Sequence, residues 1–275
     1  MTVGLIANER KCNVCGERMK LVSKKCLSDG YIWMCRSRAS DSKHVSSISV
    51  RKNSWFECSK LSMIDILLLT YYWYHRCQNK FIIEDMNVSS RTVVDWKSFC
   101  REVCMDICVK ESCAIGGVDV IVEIDESKFG KRKYNRGRMV NGRWVFGGIE
   151  RGSNRTFFSV VENRGKDVLL SIIKTFILPG TTIISDCWKS YDCLEDEGYK
   201  HLKVNHSLQF IHPETGAHTN TIEGTWSAIK RQLPTNYCQG QFDSYLAEYM
   251  WRRKTTTFNN FLTAITAIYP ISEEC

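Results

Sequence analysis

The spacing of apolar positions changes character twice along this chain of 275 residues. Residues 8–53 show little periodicity. Residues 59–113 read as helical: "SKLSMIDILLLTYYWYHR" carries an apolar face at helical spacing. "FIIEDMNVSSRTVVDWKSFCREVCMDICVK" then predicts a short helix, a turn at residues 87–90 and a longer helix from near Arg91. In the longer helix Val93, Trp96, Cys100, Val103 and Ile107 fall at i, i+3, i+7, i+10 and i+14, the stripe of a helix packed on a core. From residue 116 the pattern alternates. "VDVIVEIDES", "GRWVFGGIERGS" and "RTFFSVVEN" are β-branched or aromatic runs, the last two joined through Gly152-Ser153-Asn154 as a hairpin. "KDVLLSIIKTFI" is an amphipathic helix ended by Pro179-Gly180. "TTIISDCWKSY" is a short buried strand finishing on Asp186, "YKHLKVNHS" a fifth strand, and "HTNTIEGTWSAIKR" the start of another helix.

Three strands in hairpin order, then helix, strand, helix, strand, helix, is the order of a ribonuclease-H-like α/β domain with a mixed sheet and helices on its faces. The expected organisation is a zinc-ribbon-like segment at 8–53 and a helical, helix-turn-helix-like domain at 59–113. The mixed-sheet domain comes next, at 116–236, with a helical extension at 237–275.

Composition narrows the class. The apolar and charged fractions, 43% and 25%, are those of an ordinary globular protein. A formal charge of +8 suits a polyanion partner without demanding one. Fourteen cysteines would suit a secreted disulfide scaffold, but "MTVGLIANERKCNVCG" has neither a sustained apolar run nor a small-residue cleavage site. The longest apolar run, around residues 64–73, is broken by Asp65 and Thr70 and is too short for a bilayer. A reducing compartment and no membrane are expected, with thiols acting as metal ligands or small buried hydrophobes. Cys100, Cys104 and Cys108 share a helix face at i+4 spacing and read as core.

Candidate chemistry lies in three places. Cys12-Asn-Val-Cys15 followed by Gly16 is half of a zinc knuckle, two thiolates on a turn that glycine allows to reverse. "YIWMCRSRASDSKH" offers Cys35 and His44 as the other half, with Cys26 a competing thiol; structural zinc on Cys12, Cys15, Cys35 and His44 is expected. The second place is a set of acids. Glu123, Asp125 and Glu126 end one apolar run and Asp186 ends another. Ionised groups beside a sheet core need cations or donors to offset desolvation. If the first and fourth strands are neighbours, Asp125 and Asp186 converge, and hard oxygen ligands favour two magnesium or manganese ions. Glu223 lies where a third ligand would come from the following helix. The competing reading makes it part of a capping box with Asn220, folded back on the helix start.

The third place is basic. "KFGKRKYNRGR" puts Lys128, Lys131, Arg132, Lys133, Arg136 and Arg138 within eleven residues directly after the first acidic run, as a clamp on phosphates would. Arg91 and Lys97, near the start of the longer helix, are the basic residues of a helix-turn-helix-like pattern. Lys230 lies two turns beyond Glu223 on the same helix face. Trp188 and Trp226 flank the acids, and packing in the core is the expectation for both.

"VEIDESKFGKRKY", "WVFGGIERG", "IISDCWKSY" and "HTNTIEGTWSAIK" together resemble the DDE transposases of the Merlin group and their bacterial insertion-sequence relatives. "SVRKNSWFECSKLS" and "SSRTVVDWKSFCREVC" are similar to the N-terminal half of the same group. Thirty-six residues separate Asp186 from Glu223, in keeping with the interval in that group. The resemblance implies a catalytic triad of Asp125, Asp186 and Glu223 and selects Asp125 from the run of three acids. It implies cut-and-paste DNA transposition, with hydrolysis at transposon ends followed by attack of the freed 3′-hydroxyl on target DNA. The partners it implies are terminal inverted repeats, target DNA and further copies of the chain. The inferred DNA substrate sets the expected location, the nucleus of a eukaryote or the cytoplasm and nucleoid of a bacterium, and no secretion. Two alternatives stand beside it: a domesticated DNA-binding protein that does not cut, and a ribonuclease-H-like nuclease without strand transfer.

Overall fold

The computed structural model describes residues 4–37, 43–130, 142–153, 155–204, 216–233, 241–254 and 257–271. The chain forms two compact units, one of residues 1–110 with 251–275 and the other of residues 111–250.

The first unit begins with an antiparallel sheet of β1 (Lys20–Ser23), β2 (Tyr31–Ser37) and β3 (His44–Ser49), in that order. Arg51 fixes the segment after the sheet. It pairs with Asp29 and donates to the Ser59 carbonyl, so its buried charge is matched by a carboxylate and a backbone acceptor. Helix α1 (Met63–Tyr74) starts on a capping box in which Ser62 and Asp65 exchange hydrogen bonds. Helix α2 (Asn79–Met86) ends where Asn87 turns left-handed at φ 50°, and α3 (Ser90–Lys110) starts with the Ser89 hydroxyl accepting from the Thr92 amide. The apolar stripe of α3 is buried as its period requires, with Val93, Cys100 and Cys104 fully inside.

In the second unit, β4 (Ile115–Gly116) leads into β5 (Ile121–Phe129), β6 (Arg143–Glu150) and β7 (Thr156–Val161), an antiparallel meander. Helix α4 (Lys166–Phe176) is followed by β8 (Ile177–Leu178) and β9 (Thr182–Asp186). Then come a single 3-10 turn at Lys189–Tyr191, β10 (Lys200–Val204) and α5 (Asn220–Gln232). The helix expected between the fourth and fifth strands is thus only this turn, because Asp186 and the residues after it fold into tight turns. The sheet order is β10-β9-β5-β6-β7, with β9 parallel to both β5 and β10. That is the mixed order expected of a ribonuclease-H-like sheet.

Two apolar layers cover this sheet. Alternation sends Val122, Ile124 and Phe146 to the layer that holds Leu169 and Ile173 of α4, and Val145 and Ile149 to the layer that holds Ile222, Trp226 and Ile229 of α5. Helix α6 (Phe242–Lys254) adds Phe242, Leu246 and Tyr249 to the second layer. Gly147 in β6 is required there, since a Cβ would lie 2.9 Å from the Trp226 ring and 2.5 Å from that of Phe158. Helix α7 (Phe258–Ile268) returns to the first unit, where Phe261 packs against Trp73 and Trp251. Among the described residues no helix is long and apolar enough to cross a membrane.

Candidate active site

Strand β5 starts three residues later than the apolar run suggests and continues through the acids to Phe129, so they lie inside the strand rather than at its end. Strand parity then separates them. Glu123 and Asp125 face α5, whereas Glu126 points to the opposite layer near Tyr191.

Glu123 is fully buried and carries four hydrogen bonds. Its carboxylate accepts from the Thr221 amide (2.9 Å), the Ile222 amide (3.0 Å), the Thr221 hydroxyl (2.8 Å) and Arg151 Nε (2.7 Å). Arg151 in turn donates to the His218 carbonyl at 2.7 Å and to His218 Nδ1 at 2.9 Å. A β5 carboxylate therefore occupies the N-terminus of α5, where unpaired amides and the helix dipole favour an anion. One turn further along α5, Trp226 Nε1 donates to Asp125 Oδ2 at 3.0 Å. Trp226 is buried as expected, but it also holds an acid.

The start of α5 differs from the capping-box reading. The N-cap is Thr219, without a side-chain cap bond, and Asn220 is already helical. Glu223 sits exposed on the first turn, and its Oε1 accepts from the Thr219 hydroxyl at 2.9 Å. At the end of β9, Asp186 Oδ1 accepts from the Trp188 amide at 3.0 Å, an Asx turn that stops the strand. Register brings the two aspartates level. The last β5–β9 pair is Glu123 with Ile184, and two residues further along each strand lie Asp125 and Asp186.

The electrostatics agree with this convergence. Burial, reinforced by the carboxylates of Asp186 and Glu223, pushes Asp125 up to about 6. Burial likewise pushes Glu126 up to about 7, with Asp125 and Asp186 acting in the same direction. Glu126 Oε1 and Tyr191 Oη are both buried, and the nearby Tyr191 hydroxyl works against the rise at Glu126.

The remaining expected site residues are spread over both units. Cys12, Cys15, Cys35 and His44 come together, their ligand atoms all within 4.8 Å of one another; Cys26 is outside the group and exposed. Cys15 Sγ and Cys35 Sγ are 3.7 Å apart, and Cys12 Sγ and His44 Nε2 3.3 Å. A tetrahedral zinc with Zn–S of about 2.3 Å spaces its sulfurs about 3.8 Å apart, so the donor set and its size fit. The Val14 amide, pointing at Sγ, leads the influences that lower Cys12 to about 6, while burial pushes Cys35 up to about 12. Lys128 is exposed, with Nζ 5.5 Å from the Trp144 ring centroid. Lys131, Arg132, Lys133, Arg136 and Arg138 lie outside the described residues. Arg91 is exposed and pairs with Asp95 at 3.8 Å; Lys97 Nζ donates to the Cys77 carbonyl at 2.7 Å. Lys230 Nζ lies 5.4 Å from the Phe129 ring centroid. Trp188 departs from the core expectation, being 39% exposed.

Sequence reasoning missed Glu123 as a structural acid, and Arg151 altogether. For Glu123 a signal existed, since it shares strand parity with Asp125 in an apolar run. For Arg151 none did, because its partners are distant in sequence.

Fold and site together define a ribonuclease-H-like α/β domain with carboxylates from two adjacent strands and a helix set against one another. The ISXO2-like transposase domain model matches residues 116–254, and the chain belongs to that transposase family. It is 32% identical over 108 residues to an uncharacterized transposase-like protein of Haemophilus influenzae, covering 38% of this chain and 82% of the relative. Among solved structures it is similar to the HTLV-2 integrase catalytic core domain in complex with magnesium. That match has 13% identity and a TM-score of 0.28, and covers 55% of this chain and 87% of the other. The catalytic core domain of BIV integrase is similar at 12% identity and a TM-score of 0.29, over 55% and 84% of the two chains.

Two outcomes test the site. Glu123→Ala, which strands Arg151 and two helix amides, should lower unfolding stability in urea by about 3–5 kcal/mol. Glu123→Gln keeps an acceptor and should lose only about 1–2 kcal/mol. The second outcome concerns pH. Asp125 titrates in the folded protein near 6 rather than at its ordinary 3.8, so the native state holds the extra proton between those values and loses stability as pH rises through them. In buffer without divalent cations, wild type should therefore lose on the order of 2–3 kcal/mol relative to Asp125→Asn between about pH 4 and pH 7.

Proposed function

We propose that the chain is a metal-dependent DNA transposase in which Asp125, Asp186 and Glu223 hold two divalent cations, magnesium or manganese. The observation that carries this is the strand register that sets Asp125 level with Asp186, with the charges of Asp186 and Glu223 felt at Asp125, in a member of a transposase family. Like charges that repel one another are stabilised in ionised form by bound cations, and an all-oxygen donor set suits hard ions. Such ions supply activation of a water or 3′-hydroxyl and stabilisation of the leaving oxygen. The chain's own contribution is orientation. Trp226 aims Asp125, the Asx turn aims Asp186, and the Glu123 contact sets the start of the helix that bears Glu223.

In this reading the chain cuts transposon ends and joins the 3′-hydroxyl to target DNA, as in the Merlin group, and assembles as several copies on DNA. Its site of action is the nucleus in a eukaryote or the cytoplasm and nucleoid in a bacterium. The helices α2 and α3, with Arg91 on the exposed surface, serve as the helix-turn-helix-like element for terminal repeats. Lys128 and the basic residues after it grip phosphates. Zinc on Cys12, Cys15, Cys35 and His44 holds the N-terminal sheet together.

Two experiments check this. Purified full chain with magnesium or manganese should nick and join duplexes built from inverted repeats in the flanks of its gene. Asp186→Asn should abolish nicking and joining while leaving end binding intact. Binding without any nicking by wild type would support the non-cutting alternative; nicking without joined product from pre-cleaved ends would support the plain nuclease. For zinc, Cys35→Ser should leave less than one equivalent of bound zinc per chain by atomic absorption. Full occupancy in that variant would remove Cys35 from the ligand set.

A further inference from the structure

Arg164 stands in an unusual position for a charged side chain. Its guanidinium carbon lies 4.1 Å from the ring centroid of Trp144 and 4.4 Å from that of Trp188, so two indoles wall the cation. The backbone holds it there: the Arg164 carbonyl accepts from Ser190 Oγ at 3.0 Å and from Trp188 Nε1 at 3.4 Å. Trp188 is itself tied through its amide to Asp186. On the other side Trp144 pairs across the strands with Lys128, the first residue of the basic segment.

Among the described residues the guanidinium has no hydrogen-bond acceptor and no ion pair. Its charge is felt at the Glu126 carboxylate without an ion pair between them. Stacking uses the two faces of the planar cation and leaves its N–H edges open. An arginine fixed in that way has already lost its rotamer freedom, and its in-plane donors match an oxyanion with two oxygens at fork spacing. Arg164 is half-buried.

We propose that Arg164, held between Trp144 and Trp188, is a docking point for a nucleic-acid phosphodiester beside the carboxylate site. This rests on the DNA-transposase reading and adds to it. The carboxylates repel a polyanionic strand, and a rigid cation joined to Asp186 through Trp188 holds the backbone in register with them. Trp188, exposed at the rim, shields the contact from water and strengthens it.

The test uses the full chain in zinc-containing buffer without magnesium or manganese, and single-stranded oligothymidylate as the probe. Binding is read by tryptophan fluorescence over a range of salt concentrations. Arg164→Met, which keeps a long side chain between the indoles, should weaken binding about tenfold at low salt. It should also lower the slope of log K against log salt by about 0.7, the release expected for one lost phosphate contact on a single strand. Arg164→Lys should keep the slope and lose part of the affinity. Inorganic phosphate at millimolar concentration should compete only weakly. An Arg164→Met variant with wild-type affinity and slope overturns the proposal, as does inorganic phosphate binding more tightly than the oligonucleotide in an Arg164-dependent way. If Arg164→Met binds normally while Asp186-dependent nicking persists, this docking point alone falls. If the slope drops but wild type never nicks DNA, the docking point stands and the enzymatic reading falls.

Discussion

The contact on which the second unit turns is the carboxylate of Glu123 at the N-terminus of α5. It joins the middle strand of the sheet to a helix 98 residues further along the chain. Neither partner is stable in place without the other. A fully buried glutamate needs every lone pair satisfied, and the first amides of a helix need acceptors that the helix cannot supply. Arg151 completes the balance of charge and reaches on to His218, so the chain just before α5 is fixed as well. With the helix start pinned, Trp226 arrives at Asp125 one turn later, and its bulk is accepted only because Gly147 has no side chain.

Alternation along β5 then distributes the acids by role. Glu123 and Asp125 share a face, yet the first is buried among donors and the second sits near other carboxylates. Glu126, one residue on, faces the opposite layer beside Tyr191, and burial raises its proton affinity too. A single strand thus carries one acid whose charge is matched by the fold and two whose ionisation the fold opposes. Ordinary packing does not require the second arrangement, and acids whose ionisation the fold opposes are typical of functional sites.

Much of this was legible in the sequence, for identifiable reasons. The order of strands and helices stems from runs whose period switches between two and 3.6, and the structure has the mixed sheet which that order implied. The grouping of Cys12, Cys15, Cys35 and His44 was readable because turn spacing constrains thiols locally. What was not legible depended on distant partners. Nothing in "VEIDE" says that Glu123 will meet Thr221, or that Arg151 will pair with the same carboxylate. The start of β5 was misplaced because Val118 to Val120 are apolar enough to continue the pattern, but Gly117 and Asp119 take positive φ and keep that stretch out of the sheet. Trp188 was expected inside because tryptophan usually is; the Asx turn at Asp186 carries it to the rim instead.

The start of α5 shows how these constraints are reconciled. A helix N-terminus attracts a carboxylate, and Glu223, on the first turn, is the local candidate. Had it folded back to cap the helix, the acid would have been spent on structure, and a third carboxylate near Asp125 and Asp186 would be missing. The fold assigns the capping role to a different glutamate. Glu123 comes from the strand, is sealed from solvent and takes the amides of Thr221 and Ile222. Glu223 remains at the exposed surface of the helix, its Oε1 steadied by the Thr219 hydroxyl and its charge felt at Asp125. Two acids about a hundred residues apart in sequence thereby divide what one capping motif would have combined. The division lets a helix end serve both as an anchored element and as the bearer of an accessible carboxylate.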